Sequence, residues 1–165
     1  MCILCISWLQ ENAKKYIKLE EKPKQKEIKE EEYVRYWIYS HHIYSKPKRQ
    51  EVVHLANELD ITGFCMPGKP GIICIEGSSD SCTEWWQTIK SMNWKQIFIK
   101  VIERDGQKNG NSFRKFGKLQ ETVFQNRGPK FNHMDMGEFL KYLEKHEVGY
   151  VFKDLFGVEP KSEEK

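Results

Sequence analysis

The sequence predicts an α+β domain of order β-α-β-β-α-β, and three observations predict it. They are an aromatic and β-branched run from Tyr33 to Tyr39, two helical apolar stripes through Val52 and Trp85, and a closing apolar run from Trp94 to Ile102.

The first run, YVRYWIY, suits a pleated, packed strand better than a helix. A turn through His41 to Lys46 leads to Pro47, which fits the first turn of a helix, with Ser45 as its cap. Val52, Leu55, Ala56 and Leu59 share one face of that helix, and Asp60 to Gly63 end it. Phe64 to Met66 and Ile72 to Ile75 are short strands joined by Pro67-Gly68-Lys69-Pro70-Gly71, a rigid connection suited to a hairpin. Cys82, Trp85, Trp86, Ile89 and Met92 mark the next helix, with caps available from Gly77 to Asp80 and a left-handed end at Asn93. In the closing strand Ile97, Ile99 and Val101 share one face, with Phe98 and Ile102 on the other. Two helices on one side of a four-stranded antiparallel sheet is the ferredoxin-like arrangement.

Beyond Arg104 the pattern is less regular. Asp105 to Phe113 is a loop, Lys118 to Phe124 a short strand or helix, and Met136, Phe139, Leu140 and Leu143 a helix capped by Asp135. Tyr150, Val151, Leu155 and Phe156 add a further turn or two. Strands one and four are apolar on both faces, so these C-terminal helices are expected to cover part of the sheet's second face.

The flanks differ in character. Residues 1–20 read as an amphipathic helix with Ile6, Leu9, Ala13, Tyr16 and Ile17 at helical spacing, and residues 21–32 as a charged linker interrupted by Pro23. The domain spans 33–158, and 159–165 form a disordered tail. The apolar start is too short to span a bilayer and carries no basic leader or cleavage site. The five cysteines are odd in number and three fall at core positions, which points to reduced thiols in the cytoplasm or nucleus. Cys2 and Cys5 form a CxxC without the second ligand pair that zinc requires. No metal, cofactor, membrane or small-molecule substrate is expected.

A net charge of +3 does not by itself advertise a polyanion partner. Between Arg104 and Lys130, however, seven basic residues face two acids. Such a run is most often a solvated face.

A family resemblance rests on Trp37 to Gly77, and most specifically on Ser40-His41-His42 with Lys46 to Arg49, Thr62-Gly63-Phe64, and Pro67 to Gly71. These residues resemble the C-terminal domain of the RWD-domain-containing protein two family, a domain type similar to the one that closes the splicing factor pre-mRNA-processing factor three. The match covers about Tyr33 to Val158. It implies a ferredoxin-like fold. In the splicing factor this domain type is associated with RNA inside the spliceosomal particle, and from the RWD-linked family no activity transfers. The first helix resembles the last helix of a preceding RWD domain, so an N-terminally shortened form is expected.

Catalysis is not expected. His41 and His42 are adjacent and should point to opposite sides, and Walker, GxSxG and HExxH patterns are absent. Binding is. RNA contact needs cations on rigid elements beside exposed rings, and His41, His42, Tyr44, Lys46, Lys48 and Arg49 supply both within one turn and the start of a helix. Lys69 joins them if the two loops share an edge. The bland alternative is a packed turn with a solvated basic face. Strand three, GIICIEG, lacks the stacking aromatics of an RNA-recognition motif, so contact should use loops and edges.

The expected role is thus a non-enzymatic adaptor or scaffold with RNA contact of this kind, and the alternative is an RNA-binding domain of splicing-factor type. For an unidentified protein partner the candidate residues are Ile6, Leu9 and Ile17 on the N-terminal stripe, and Trp86. Trp86 lies about 100° from Trp85 on the helix and would sit at the core's edge.

Overall fold

A computed structural model describes residues 31–106, 110–124 and 134–158. The chain divides into two compact units, Met1–Glu30 and Glu31–Lys165, and everything described belongs to the second. The predicted N-terminal helix, most of the linker and the C-terminal tail lie outside the described residues.

The elements are β1 (Tyr33–Ser40), α1 (Lys46–Glu58), β2 (Thr62–Met66), β3 (Gly71–Ser78), α2 (Ser79–Ser91) and β4 (Ile97–Arg104). After them come α3 (Gly110–Phe113), β5 (Gln120–Glu121), α4 (Met136–Lys145) and α5 (Val151–Phe156). The sheet order is β4-β1-β3-β2-β5, antiparallel except for the short parallel β2–β5 pair. This is the ferredoxin-like order with one strand added beside β2.

Alternation along the strands sorts side chains onto two faces. Val34, Tyr36, Ile38, Cys65, Ile73 and Ile75 pack with Val52 and Ala56 of α1 and with Cys82, Trp85 and Ile89 of α2. Trp37, Phe64, Met66, Ile72 and Cys74 point the other way, against Phe139 and Leu143 of α4 and Val151, Phe152 and Leu155 of α5. Burying a large apolar side chain contributes roughly 1.5–3 kcal/mol. Trp37, Phe64, Phe139 and Leu143, all 0% exposed, together reach the order of a whole domain's net stability, about 5–15 kcal/mol. The C-terminal helices are therefore structural members of the domain.

Three local details depart from the sequence expectation. Ile97, Ile99 and Val101 do not share a face, because the β1–β4 register shifts between Trp37 and Ile38 and leaves Lys100 without a partner. This β-bulge keeps Ile97 and Ile99 toward the first core and turns Val101 toward the second. Gly63 does not end α1. It lies inside β2 at φ 142°, where a Cβ would stand 1.9 Å from the Cys74 carbonyl oxygen, while Asp60 takes the left-handed position at φ 53°. Likewise α2 ends at an extended Met92, not at a left-handed Asn93. There the Trp94 Nε1–H donates to the Ile89 carbonyl at 2.7 Å and so satisfies one of the helix's terminal acceptors.

Caps elsewhere follow the sequence. The Ser78 hydroxyl accepts from the Ser81 N–H, and the Asp135 carboxylate from Gly137 and Glu138 N–H. Ser45 holds the N-cap position of α1 but makes no side-chain bond there.

Candidate functional site

The turn after β1 is fixed from two sides. The Ser40 hydroxyl sits 3.0 Å from both the His42 and Gln96 carbonyl oxygens, and the His41 N–H donates to Gln96 O at 3.2 Å. Ile43 then forms an isolated antiparallel bridge with Gly68 of the hairpin, through bonds of 2.9 and 3.1 Å. Ile43 itself is buried, over a glycine: a Cβ on Gly71 would meet its Cγ1 at 2.3 Å.

With Ile43 turned inward, its neighbours His42 and Tyr44 turn outward. Their rings stack at 5.0 Å and 23°, and Tyr44 is 50% exposed. The bridge also brings the hairpin's exposed Lys69 to this edge. Its charge is felt at His41, whose pKa is lowered by partial desolvation first and by Lys69, Lys95 and His42 after that. His41, His42, Tyr44 and Lys69 therefore form one cluster, joined by Lys95, which the sequence reading did not single out. Lys46 is exposed in the first turn of α1, two residues after Tyr44.

The expectation that His41 and His42 point apart is not met. Their rings meet edge-on at 5.4 Å, because the chain has left the strand and its alternation stops at Ser40.

Lys48 and Arg49 also make contacts within the fold. The Lys48 ammonium caps the Asn93 carbonyl and lies 4.7 Å from the centre of the Trp94 ring. Arg49 pairs with Glu121 at 3.2 Å and donates to the Tyr44 carbonyl at 2.9 Å. Much of the basic run after β4 is also paired: Arg104 with Glu32, Arg114 with Asp60 and Lys115 with Glu147. Of the protein-contact candidates, Trp86 is partly buried against the first core, and Ile6, Leu9 and Ile17 lie outside the described residues.

A second polar feature escaped the sequence reading altogether. One row across the sheet's second face runs Thr62, Glu76, Arg35, Glu103 through β2, β3, β1 and β4. Arg35 Nε donates to Glu76 at 2.7 Å, one terminal nitrogen donates to Glu103 at 2.9 Å, and the other donates to the Phe113 carbonyl at 2.6 Å. Glu76, fully buried, also accepts from the Thr62 hydroxyl and from the backbone N–H groups of Lys115 and Phe116. Glu103 accepts from Trp37 Nε1–H at 2.7 Å and from the Tyr150 hydroxyl. Burial pushes the Glu103 carboxyl up, but the bonds from Tyr150, Trp37 and Arg35 outweigh it and hold its pKa below the ordinary value. Burial likewise opposes charge on Arg35, and its two carboxylates more than restore it. With every strong donor and acceptor engaged, this row is a structural lock. Its signal in the sequence was a single charge inside each of two otherwise apolar strands.

Among the described residues no group of three or more His, Cys, Asp or Glu side chains is placed to hold a metal ion. Nor is any described helix long and apolar enough to cross a membrane.

The family model for the small nuclear ribonucleoprotein Prp3 C-terminal domain matches residues 36–155, from the middle of β1 to the end of α5. The chain belongs to this family. The Prp3 C-terminal domain thus comprises both halves of the fold, the β-α-β-β-α-β unit and the helices that cover its second face. Phomoidride biosynthesis cluster protein F, from a fungal species (strain ATCC 74256), is 33% identical over an alignment of 138 residues that covers 76% of this chain and 43% of that protein. The chain spans less than half the length of this curated relative.

Two solved structures are similar at low identity. The BLUF protein BlrB in its dark state matches at TM-score 0.48 and 18% identity, over 72% of this chain and 95% of that one. Acylphosphatase from Bacillus subtilis matches at TM-score 0.41 and 11% identity, over 55% of this chain and 99% of that one.

Proposed function

We propose that this Prp3 C-terminal domain is a non-catalytic binding module of a nuclear protein–RNA assembly. It contacts RNA through the edge formed by His41, His42, Tyr44, Lys46 and Lys69. The observation that carries the reading is the Ile43–Gly68 bridge, which sets an exposed ring stack and a hairpin lysine side by side on rigid backbone. Cations on fixed elements neutralise phosphates, and exposed rings accept bases, in sequence-tolerant recognition of single strands. The family's description as a small nuclear ribonucleoprotein supports the same reading. Because α4 and α5 cover most of the second sheet face, recognition falls to loops and edges.

Protein contact is the companion role, as a ribonucleoprotein particle requires, and the resemblance to the RWD-linked family remains part of this proposal. A second reading places the partner site elsewhere on the chain. Ile102, 49% exposed on the edge strand β4, favours it.

The test is binding of a fluorescent single-stranded RNA across a salt series. Replacing Lys46 and Lys69 by Gln is expected to make the log–log salt slope shallower by about 1.4, since each single-strand phosphate contact contributes roughly 0.7. Arg49→Gln, which breaks a local ion pair, should leave the slope unchanged. Absence of salt-dependent binding at low ionic strength refutes the RNA reading.

A further inference from the structure

The sheet has two edges of unlike length. β5 closes one with two residues, and β4 stands at the other with eight. No β4 residue is buried, whereas β1 and β3 are buried at nearly every position. Among the described residues no strand pairs with the outer side of β4. A long edge with open N–H and C=O groups is a template for another strand.

The bulge decides what kind of strand fits. Opposite Val34, Tyr36, Ile38 and Ser40, the side chains of Arg104, Ile102, Ile99 and Ile97 lie on the face of the first core. Glu103, Val101 and Phe98, opposite Arg35, Trp37 and Tyr39, lie on the second face. Lys100 joins them there, its ammonium 5.8 Å from the Phe98 ring centre. From Ile97 to Arg104 the faces therefore read first, second, first, second, second, first, second, first. That order is the same in both directions. An antiparallel partner must set each residue opposite one of the same face. A second β4 does so at every position when the two-fold axis passes between Lys100 and Val101. In a strand of regular alternation no axis between two residues does this, and here a slip of one residue sets every pair on opposite faces.

We propose that β4 pairs with β4 of a second copy of this chain, joining two five-stranded sheets into one. The inference rests on the second reading above, a partner site around Ile102, and names the partner.

The residues that meet in this register are chemically matched. Ile99 lies opposite Ile102 of the second copy, twice, on the first face, and covers a side chain that is 49% exposed in the single chain. Ile97 lies beside the aliphatic stem of Arg104 of the second copy. On the second face Lys100 stands diagonal to Glu103 of the second copy, within reach of a long side chain. No charge lies directly opposite a like charge. Isoleucine against isoleucine on one face and lysine near glutamate on the other favour a copy over an unrelated strand.

Sedimentation equilibrium of the full chain from about 1 μM to about 1 mM should show a monomer passing to a dimer and no larger species, because the two-fold consumes the long edge. Ile102→Lys sets an ammonium opposite Ile99 twice, at a position already half open to water. It is expected to keep the chain monomeric with its circular dichroism unchanged. Lys100→Glu puts like charges on the diagonal and should weaken the dimer roughly tenfold. Register is read by mixing Ile99→Cys with Ile102→Cys under oxidation. Peptide mapping should find a disulfide between the two introduced thiols in the mixture, and none joining like positions in either variant alone, since those stand farther apart than a disulfide spans.

A chain that stays monomeric throughout, with its outward β4 amides exchanging freely with deuterium, overturns the self-pairing and leaves the edge to a strand of another protein. A dimer that survives Ile102→Lys, is indifferent to Lys100→Glu, or lacks the mixed disulfide overturns it as well. Protection of the outward β4 amides in the monomer overturns both the self-pairing and the partner site on which it rests. RNA binding is read separately, since none of these variants touches Lys46 or Lys69.

Discussion

Arg35→Met isolates the contribution of the buried charge row. The Arg35 side chain is 4% exposed and that of Glu76 is 0% exposed, at 2.7 Å. At an effective dielectric near 20 their gross attraction is about 6 kcal/mol. Much of that offsets the cost of desolvating both groups. The substitution removes the cation and leaves the Glu76 carboxylate with two backbone N–H groups and a hydroxyl. Breaking a buried pair this way costs about 3–5 kcal/mol. Urea unfolding followed by tryptophan fluorescence measures it. With a slope of about 2 kcal/mol per molar, the midpoint should fall by roughly 2 M. Removing the orphaned charge as well, in Arg35→Met with Glu76→Gln, should recover at least half of the loss. A drop below about 1 kcal/mol for the single variant would place the pair among solvent-screened surface bridges and refute the reasoning.

The pH dependence follows from Glu103. Its folded pKa is lowered, so its stabilisation is fully present above the ordinary glutamate value, about 4.3, and is lost as pH falls through the folded pKa. Glu103→Gln should flatten the decline of stability below that pH, and an unchanged acid limb in urea titrations at several pH values would contradict it. Gly63→Ala forces a Cβ to within 1.9 Å of a backbone oxygen at positive φ. A fall of more than about 2 kcal/mol is expected from calorimetry, above the ordinary backbone effect of such a change. Burial raises the thiol pKa of Cys65 and Cys82 to about 12 and pushes that of Cys74 well above the ordinary thiol value. Iodoacetamide at pH 8 should therefore leave these three unmodified in the native chain and alkylate them in urea, as peptide mass mapping would register.

The fold was legible because its signals are local. An aromatic and β-branched run marks β1, short apolar runs mark β2 and β3, helical spacing marks α1, α2 and α4, and the need to cover the second sheet face could be inferred from strands one and four being apolar on both sides. What stayed hidden is non-local. Arg35 meets Glu76 and Glu103 across 41 and 68 residues of sequence, and no spacing rule joins charges so far apart. The bulge at Lys100 was equally silent, since one unpaired residue leaves composition and hydrophobicity unchanged while reversing every side chain after it.

The basic turn was half legible for the same reason. Exposure of His42, Tyr44 and Lys69 follows from a bridge to the hairpin, and the residue types suggested it. That Lys48 would be drawn to Asn93 and Arg49 to Glu121 depends on where α2 and β5 end up.

The Glu76 carboxylate links two parts of the chain that are synthesised at different times. The six elements from Tyr33 to Arg104 emerge first, with Trp37, Phe64 and Cys74 uncovered and Glu76 lacking the N–H donors of Lys115 and Phe116. At about 5–20 residues per second, the helices that cover that face follow several seconds later. In that interval the nascent domain is a half-closed sheet with an apolar, acid-bearing surface, an ordinary client for a chaperone. Its final form is set when the last helices dock.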